Sequence, residues 1–157
     1  MKVSEYLPST QILLDVDIGD KDNLLRFIAD ACVGSGIIAD GDLLYQGMKN
    51  REETMSTGVG DGIGIPHTAS REVTTAAIFL VRLLKPIDFQ SLDGTRVDVV
   101  IALAIPEEDK TLHIRLLARV SRLCRNREFM NMVRQARSAD DLCLEIEKLE
   151  EDIMIHG

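Results

Sequence analysis

"VDVVIALAI", residues 97–105, decides the fold of this chain. Eight of its nine residues are apolar, and the exception is Asp98. A strand with one face in water shows a polar residue at every second position, so a run without that alternation is typical of a strand covered on both faces. We therefore predict a buried strand here, with helices packed on each side of its sheet.

The segments around this strand predict the other layers of the fold. Residues 12–18 and 76–84 are apolar runs typical of strands, and the turn residues within 86–94 predict a loop. Helical spacing of apolar residues predicts a helix after Asp20, a second after Asp40, and three more over 111–125, 128–136 and 138–151, with a frayed tail. The sequence thus indicates one α/β domain, residues 1–157, with a mixed sheet of about four to five strands flanked by helices on both faces.

Composition excludes several classes of protein. With 157 residues, 45% of them hydrophobic, the chain can bury one sizeable core. Its net charge of −8 disfavours nucleic acid and anionic membrane surfaces as partners. No segment reaches the roughly 20 apolar residues that cross a bilayer. We therefore expect a cytoplasmic protein with no nucleic-acid partner and no membrane insertion.

The cysteines predict neither disulfides nor a metal site. Cys32, Cys124 and Cys143 are odd in number, widely spaced and placed within apolar helical patterns. This is typical of reduced cysteines in a core. No cysteine or histidine pair has the close spacing that zinc sites use, and we expect no metal and no cofactor.

A glycine-rich segment is the most unusual feature of the sequence. "STGVGDGIGIPHTAS", residues 56–70, has glycine at every second position from 58 to 64 and then reaches Pro66 and His67. It matches neither the nucleotide P-loop, which needs a lysine and a hydroxyl after its last glycine, nor the spacing of the dinucleotide fingerprint. An extended segment would place all four glycines on one face, with a short strand over 62–65 delivering His67. Alternatively, the glycines serve only tight turns and a strand crossing.

His67 is the candidate functional residue of this segment. A neutral imidazole nitrogen is a nucleophile near pH 7, and bare backbone amides beside it can face an anion. Arg51, His113 and the glycine amides are candidate donors for phosphoryl transfer. The competing interpretation is an ordinary surface histidine. A metal site on His67 and His113 lacks the usual spacing of metal motifs.

Six stretches along the chain resemble one protein family. They are "RE" at 51–52, "STGVGDGIGIPH" at 56–67, "PIDF" at 86–89, "DG" at 93–94, "VDVVIALAIP" at 97–106 and "TLHIRLLARVSRL" at 111–123. In this order they are similar to the fructose/mannitol-type enzyme IIA domain of the bacterial sugar phosphotransferase system. The stand-alone nitrogen-regulatory branch, IIA-Ntr, is most similar, since this chain has its length and carries no attached IIB, IIC or phosphocarrier domain.

The resemblance implies a phosphoryl carrier with a helix-flanked mixed sheet. It implies that His67 accepts a phosphoryl group from the phosphohistidine of the small phosphocarrier protein. His113 would be a second active-site histidine, and Arg51 would lie beside the phosphoryl group. Thr57 and Gly62 would complete the phosphoryl-binding set. We expect His67 to lie uncovered in a shallow hollow, within reach of His113 and Arg51.

Three residues near the candidate site need separate comment. Gly64 stands where the resembled family commonly has alanine, and Thr68 where alanine or glycine is usual. Asp61 adds a negative charge near the expected phosphoryl group, and we interpret it as a solvated turn residue. None removes an expected phosphoryl contact, and the sequence leaves open whether they alter the choice of partner.

Three functions remain open at this point. The first is a phosphoryl relay whose phosphorylation state regulates partner proteins. The second is a sugar-transport enzyme IIA that passes the group to a separate IIB domain. The third is a non-catalytic binding module of the same fold. The joint presence of His67, Arg51 and His113 favours the first two, and formation of a homodimer is left open.

Opposite charges concentrate near the end of the chain. Residues 113–137 contain seven arginines, and residues 140–152 contain seven acids. We interpret the two stretches as solvated faces of neighbouring helices with some ion pairing between them, rather than as two docking surfaces.

Overall fold

The apolar run at 97–105 lies at the centre of a sheet. In the computed structural model, which describes residues 1–156, it forms strand β6 (Val97–Pro106). Every residue from Val99 to Ile105 is buried. The prediction of a strand covered on both faces is confirmed.

Strand β6 belongs to a mixed sheet of six strands. The other strands are β1 (Ile12–Val16), β2 (Gly58–Gly60), β3 (Ile63–Gly64), β4 (His67–Ser70) and β5 (Ala77–Ile87). The order across the sheet is β1-β5-β6-β3-β2, and β4 follows β3 along the same side of β6. The β5–β6 and β2–β3 pairs are antiparallel, and the other pairs are parallel. There are more strands than predicted because the glycine segment forms three short strands instead of one.

Helices cover both faces of the sheet, which confirms the predicted α/β class. They are α1 (Lys21–Gly34), α2 (Asp42–Thr54), α3 (Lys110–Cys124), α4 (Arg127–Gln135) and α5 (Ala139–His156). Phe79 and Val81 of β5 pack in one cluster with α1 and α2, while Ile78 and Leu80 pack in the other with α3, α4 and α5. Alternate residues of a strand thus serve opposite layers. Within residues 1–156 no helix combines the length and apolarity needed to cross a membrane.

Polar side chains accept backbone N–H groups at the start of the helices, although α2 has Gly41 rather than Asp40 at its N-cap. Asp20 and Ser138 each accept a backbone N–H from the first helical turn, at 2.8 and 3.2 Å. Asp40 accepts a backbone N–H at the start of α2, at 2.9 Å. The expected frayed tail is wrong over 152–156, where α5 continues. Gly157 lies outside the described residues.

The glycine segment turns back on itself. Strands β2 and β3 form an antiparallel hairpin, and the turn residues Asp61 and Gly62 have φ of +56° and +81°. Two consecutive positive φ angles are typical of a type I′ turn, for which Asp-Gly is a favoured sequence. The expectation that one extended segment places all four glycines on one face is therefore wrong.

The cysteines are free thiols. Cys32 and Cys124 are buried and Cys143 is half-buried. Burial raises the pKa of Cys32 and that of Cys124 to about 12. The predicted reduced core cysteines are thus confirmed at these two positions, where few molecules hold the reactive thiolate.

The charged stretches near the end of the chain do not pair with each other. Among the ion pairs of the described residues, none joins an arginine of 113–137 to an acid of 140–152. Arg134 pairs instead with Asp98 on β6, at 3.0 Å. The expected pairing between neighbouring helices is wrong.

Candidate functional site

His67 is the first residue of β4 and lies beside the central strand. Its register partner on β6 is Leu103, whose side chain packs in the cluster with α3. Register partners in a parallel pair point to the same face, so His67 faces the α3 layer. The residue is only 7% exposed. The expectation of an uncovered ring in a shallow hollow is therefore wrong, because the fold covers most of the imidazole.

The hydrogen bonds of His67 determine which ring nitrogen can react. Nδ1 lies 2.8 Å from the carbonyl oxygen of Ile65. A carbonyl oxygen only accepts, so Nδ1 donates and the neutral ring carries its lone pair on Nε2. Among the described residues, two polar side-chain atoms are closed off from solvent and have no hydrogen-bond partner: Glu72 Oε2 and Ser91 Oγ. His67 Nε2 does not belong to this set. The free Nε2 is therefore the ring nitrogen that reaches solvent.

The surroundings of His67 keep its ring neutral. Burial lowers the pKa of His67 below its ordinary value of 6.5, and this is the largest effect. The hydrogen bond to Ile65 and the carboxylate of Glu52 act in the opposite direction, whereas the Arg51 guanidinium and His113 lower the pKa further. A neutral ring at physiological pH keeps the Nε2 lone pair available for attack on an electrophile.

His113 lies in the first turn of α3 and meets His67 directly. The two ring centroids are 5.5 Å apart, with the ring planes at 73°. The helix begins after Asp109, which accepts the backbone N–H of Leu112 through its side chain and that of His113 through its carbonyl oxygen. A helix N-terminus favours a negative group nearby, because its N–H groups and dipole point outward. The structure thus brings His113 and His67 together as the sequence predicts.

Arg51 approaches from the other layer, on the last turn of α2. Its Nη1 donates to the carbonyl oxygen of Met55 at 2.9 Å, which anchors one arm of the half-buried guanidinium. Its charge acts on His67, whose pKa it lowers. A guanidinium carries five donors, so Arg51 keeps N–H groups that can bind the oxygens of an anion.

Gly62 does not join these residues. Its carbonyl oxygen accepts the backbone N–H of Val99 at 3.1 Å, whereas His67 pairs with Leu103. Positions 99 and 103 are separated by about 13 Å along a strand. This separation does not support Gly62 as a phosphoryl-binding residue, and that role stays a prediction. Gly62 serves the hairpin turn, and a Cβ there would lie 2.7 Å from Asp98 Oδ1.

Thr57 lies close to the site, but its donors are already bound. Its backbone N–H donates to Glu52 Oε1 at 3.1 Å, and its hydroxyl donates to Glu52 Oε2. Lys21 Nζ lies 2.8 Å from Glu52 Oε1. Sequence reasoning missed the role of Glu52. The spacing of Leu44, Met48 and Glu52 at four-residue steps could have revealed it, since this pattern places a carboxylate on the buried side of α2.

The two departures from the family pattern are explained by packing. A Cβ on Gly64 would lie 2.7 Å from Cε1 of the buried Phe89 ring, so the large ring requires glycine. A Cβ on Gly47 of α2 would lie 2.6 Å from Thr68 Oγ1. The Thr68 side chain thus occupies the space that a side chain at Gly47 of α2 would need. Asp61 lies exposed at the hairpin turn, as predicted for a turn residue.

The arrangement can accept an anionic electrophile. It combines a nucleophilic Nε2 on His67 with an imidazole of His113 and a guanidinium of Arg51 that can bind oxygens of the transferred group. No group of three or more histidine, cysteine or acidic side chains suited to a metal ion occurs in the part of the chain that the structure describes.

Comparisons with known proteins identify the family of this chain. Residues 5–149 match the family model described as Phosphoenolpyruvate-dependent sugar phosphotransferase system, EIIA 2. The fructose-specific EIIABC component from Bacillus subtilis is 31% identical over 140 residues, which are 89% of this chain and 22% of that protein. The nitrogen regulatory protein of Pseudomonas aeruginosa is 28% identical over 142 residues, 90% of this chain and 92% of that protein.

A solved structure shows the same fold. The nitrogen regulatory protein IIA-Ntr from Neisseria meningitidis superposes with a TM-score of 0.84 at 24% identity, over 92% of this chain and 98% of that one. The resemblance drawn from the six sequence stretches is thereby confirmed. This chain spans less than a quarter of the multidomain relatives it matches. Because the family model matches nearly its full length, the chain belongs to the EIIA type 2 family of the phosphoenolpyruvate-dependent sugar phosphotransferase system.

Proposed function

We propose that this chain, residues 1–157 as one domain, carries a phosphoryl group on Nε2 of His67, accepted from the phosphohistidine of a phosphocarrier protein in the cytoplasm. The observation that carries this proposal is the state of the His67 ring. Its Nδ1 donates to Ile65, and its Nε2 has no hydrogen-bond partner among the residues that the structure describes and is not fully closed off from solvent. Family membership supports the same chemistry.

The transfer step needs no separate base. The Nε2 lone pair attacks the phosphorus atom, the N–P bond of the donor breaks, and its electron pair returns to the donor imidazole. Nδ1 keeps its hydrogen and its bond to Ile65 throughout. His113 and Arg51 stabilise the charge on the phosphoryl oxygens, which is the main catalytic requirement of phosphoryl transfer.

We further propose that the phosphorylated state regulates partner proteins. The match to the Pseudomonas nitrogen regulatory protein spans 90% of this chain and 92% of that protein, which supports this branch. The second candidate is transfer to a separate IIB domain. It is favoured by the relative from Bacillus, whose name describes a fructose-specific EIIABC component. A non-catalytic binding module is disfavoured by the joint placement of His67, His113 and Arg51.

Phosphorylation in a reconstituted system tests the carrier role. The chain is incubated with phosphoenolpyruvate, enzyme I and a phosphocarrier protein, and the adduct is measured by intact mass spectrometry before and after acid treatment. We expect an acid-labile phosphoryl group on the parent and on the matched histidine control His113→Gln, and none on His67→Gln. Labelling of His67→Gln would refute the proposal.

The same reaction separates the two candidate roles. Purified phosphorylated chain is mixed with a fructose-type IIB domain, and loss of the phosphoryl group from His67 is followed over time. Rapid transfer to IIB would support the transport role, whereas retention of the group is expected for the regulatory role.

A further inference from the structure

A buried carboxylate lies beside the site and takes no part in the transfer step described above. Glu52 is 8% exposed, and its Oε1 accepts the backbone N–H of Thr57 at 3.1 Å and forms an ion pair with Lys21 Nζ at 2.8 Å. Its Oε2 accepts the hydroxyl of Thr57. A buried charge is costly unless it is paired and hydrogen-bonded, and both conditions are met here.

Lys21 is itself held in place at the start of α1. Its Nζ donates to the carbonyl oxygen of Phe89 at 3.1 Å and lies 4.4 Å from the centroid of the Phe89 ring. The Lys21–Glu52 pair therefore joins α1, α2 and the loop after β5 at one buried point. A carboxylate fixed in this way can act as a rigid anchor for Thr57.

Two hydrogen bonds to backbone carbonyl oxygens connect this anchor to the reactive ring. The carbonyl oxygen of Thr57 accepts the backbone N–H of Ile65 at 3.0 Å. The carbonyl oxygen of Ile65 in turn accepts Nδ1–H of His67 at 2.8 Å. A continuous chain of hydrogen bonds therefore runs from Glu52 through Thr57 and Ile65 to the His67 imidazole.

The last of these bonds has a chemical consequence. The neutral imidazole of an unconstrained histidine side chain prefers its hydrogen on Nε2, which would leave no lone pair on the exposed nitrogen. The tautomer in a protein is set by the hydrogen bond that the other nitrogen makes. The orientation of the Ile65 carbonyl therefore decides whether Nε2 can act as a nucleophile.

We propose that Glu52, paired with Lys21, is a positioning residue that fixes His67 as its Nδ1–H tautomer through Thr57 and Ile65, and so directs the phosphoryl group to Nε2. The inference rests on the proposed function of His67, which it deepens. It also assigns a role to Thr57, which connects Glu52 to the Ile65 backbone instead of binding the phosphoryl oxygens.

The tautomer of His67 can be measured without any phosphoryl donor. Long-range proton–nitrogen NMR correlations of uniformly labelled protein at neutral pH distinguish the two neutral forms. We expect the Nδ1–H form in the parent. Thr57→Val removes the hydroxyl at nearly equal volume, and the double variant Lys21→Met with Glu52→Gln removes both charges. Both should populate the Nε2–H form and speed hydrogen exchange at the Ile65 amide. Thr57→Ser, which keeps a hydroxyl, should restore the parent pattern.

Phosphorylation supplies the second readout. We expect Thr57→Val to slow acceptance by about 10- to 100-fold, the range seen when a hydrogen-bond partner that orients a metal-binding histidine is lost. Part of the adduct should shift from Nε2 to Nδ1, which phosphorus NMR distinguishes. An altered position of the phosphoryl group is not expected from a general loss of stability.

Glu150→Gln is the matched control for a purely structural effect. Glu150 is also buried and accepts two backbone N–H groups, from Val3 and Ser4, in a different part of the fold. Its substitution should lower the melting temperature and leave the His67 tautomer unchanged. Thr57→Val and the double variant could lower the melting temperature while His67 keeps the parent tautomer and the phosphoryl group stays on Nε2. Glu52 would then contribute only to stability, and the inference would be wrong. Should the double variant fail to fold, Thr57→Val decides the question alone.

The two proposals can fail separately. A parent protein with the Nδ1–H tautomer that never accepts a phosphoryl group would refute the proposed function. A parent that accepts the group on His67 while Thr57→Val behaves identically would refute only the role of Glu52.

Discussion

His113 meets His67 edge to face, with the two ring centroids 5.5 Å apart and the ring planes at 73°. One ring comes from the first turn of α3 and the other from the start of β4, and the packing of α3 on the sheet joins them. A phosphoryl group on His67 would thus have a second imidazole beside it that can donate to its oxygens.

Replacement of His113 should slow transfer without abolishing it. His113→Gln removes the ring that we propose stabilises the phosphoryl oxygens but leaves Nε2 of His67 free, so we expect the transfer rate to fall by about 10- to 100-fold. Single-turnover kinetics with the phosphorylated phosphocarrier measure this effect. An unchanged rate would show that His113 has no catalytic role, and complete loss of acceptance would make His113 the alternative carrier.

The pKa of His67 should lie below 6.5. Burial is the largest cause, and the charges of Arg51 and His113 add to it. Titration of the ring protons by NMR measures this value directly. We expect Arg51→Gln to move the pKa upward while leaving it below that of an exposed histidine, because burial remains. A parent pKa at or above 6.5 would contradict the buried environment of the ring.

The stability of the protein should fall in mild acid through the same residue. The pKa of His67 is lower in the folded state than the ordinary value of 6.5. The unfolded chain therefore binds the proton first as the pH falls. The free energy of unfolding is unaffected by this residue well above pH 6.5 and declines as the pH drops from about 6.5 toward the lower folded pKa. Urea unfolding across this range should show a smaller decline in His67→Gln than in the parent.

An alanine at position 64 should destabilise this chain, although the resembled family commonly has alanine there. The added Cβ would lie 2.7 Å from the Phe89 ring, which has no exposed surface and cannot easily move. We expect Gly64→Ala to lower the free energy of unfolding by about 1–3 kcal/mol. Gly19→Ala is the control, since a Cβ there meets nothing within 4 Å.

A double variant tests the stated cause. In a Phe89→Leu background the ring is gone, so Gly64→Ala should have a smaller cost than in the parent. Equal costs in the two backgrounds would show that the clash with Phe89 is not responsible.

Glu150→Gln should destabilise the junction between the last helix and the first turn of the chain. The carboxylate accepts the N–H of Val3 at 2.7 Å and that of Ser4 at 2.8 Å, and an amide can accept through only one of its two terminal atoms. We expect a loss of about 1–3 kcal/mol, the cost of leaving a buried donor unpaired. Chemical denaturation measures the loss, and hydrogen exchange at Val3 and Ser4 locates it.

Its neighbour on the helix provides the control. Glu151 pairs with Lys2 at 3.6 Å, but its side chain is 60% exposed. Glu151→Gln should change the free energy of unfolding by less than about 1 kcal/mol. A similar loss in both variants would mean that the hydrogen bonds from Val3 and Ser4 to Glu150 are not the source of the effect.

Much of the candidate site was predictable from local sequence. His67 follows a glycine segment that fits no nucleotide loop, and Arg51 and His113 lie in stretches that resemble one family. The separation of Gly62 from His67 was not predictable, because it depends on the hairpin that reverses the chain at Asp61. The helical spacing of Glu52 indicates that its side chain is buried, but its contacts with Lys21 and Thr57 come from distant elements and are not specified by local sequence.

Local sequence patterns were sufficient to predict the layers of the fold. The unbroken apolar run of β6 requires cover on both faces, and helical spacing supplies the helices that cover it, because each pattern depends only on near neighbours in the chain. The depth of His67, the hydrogen bond of its Nδ1 and the contacts of Glu52 could not be predicted from local patterns. Those properties arise where β3, β4, α2 and α3 meet, and packing between distant parts of the chain sets burial and hydrogen bonding there.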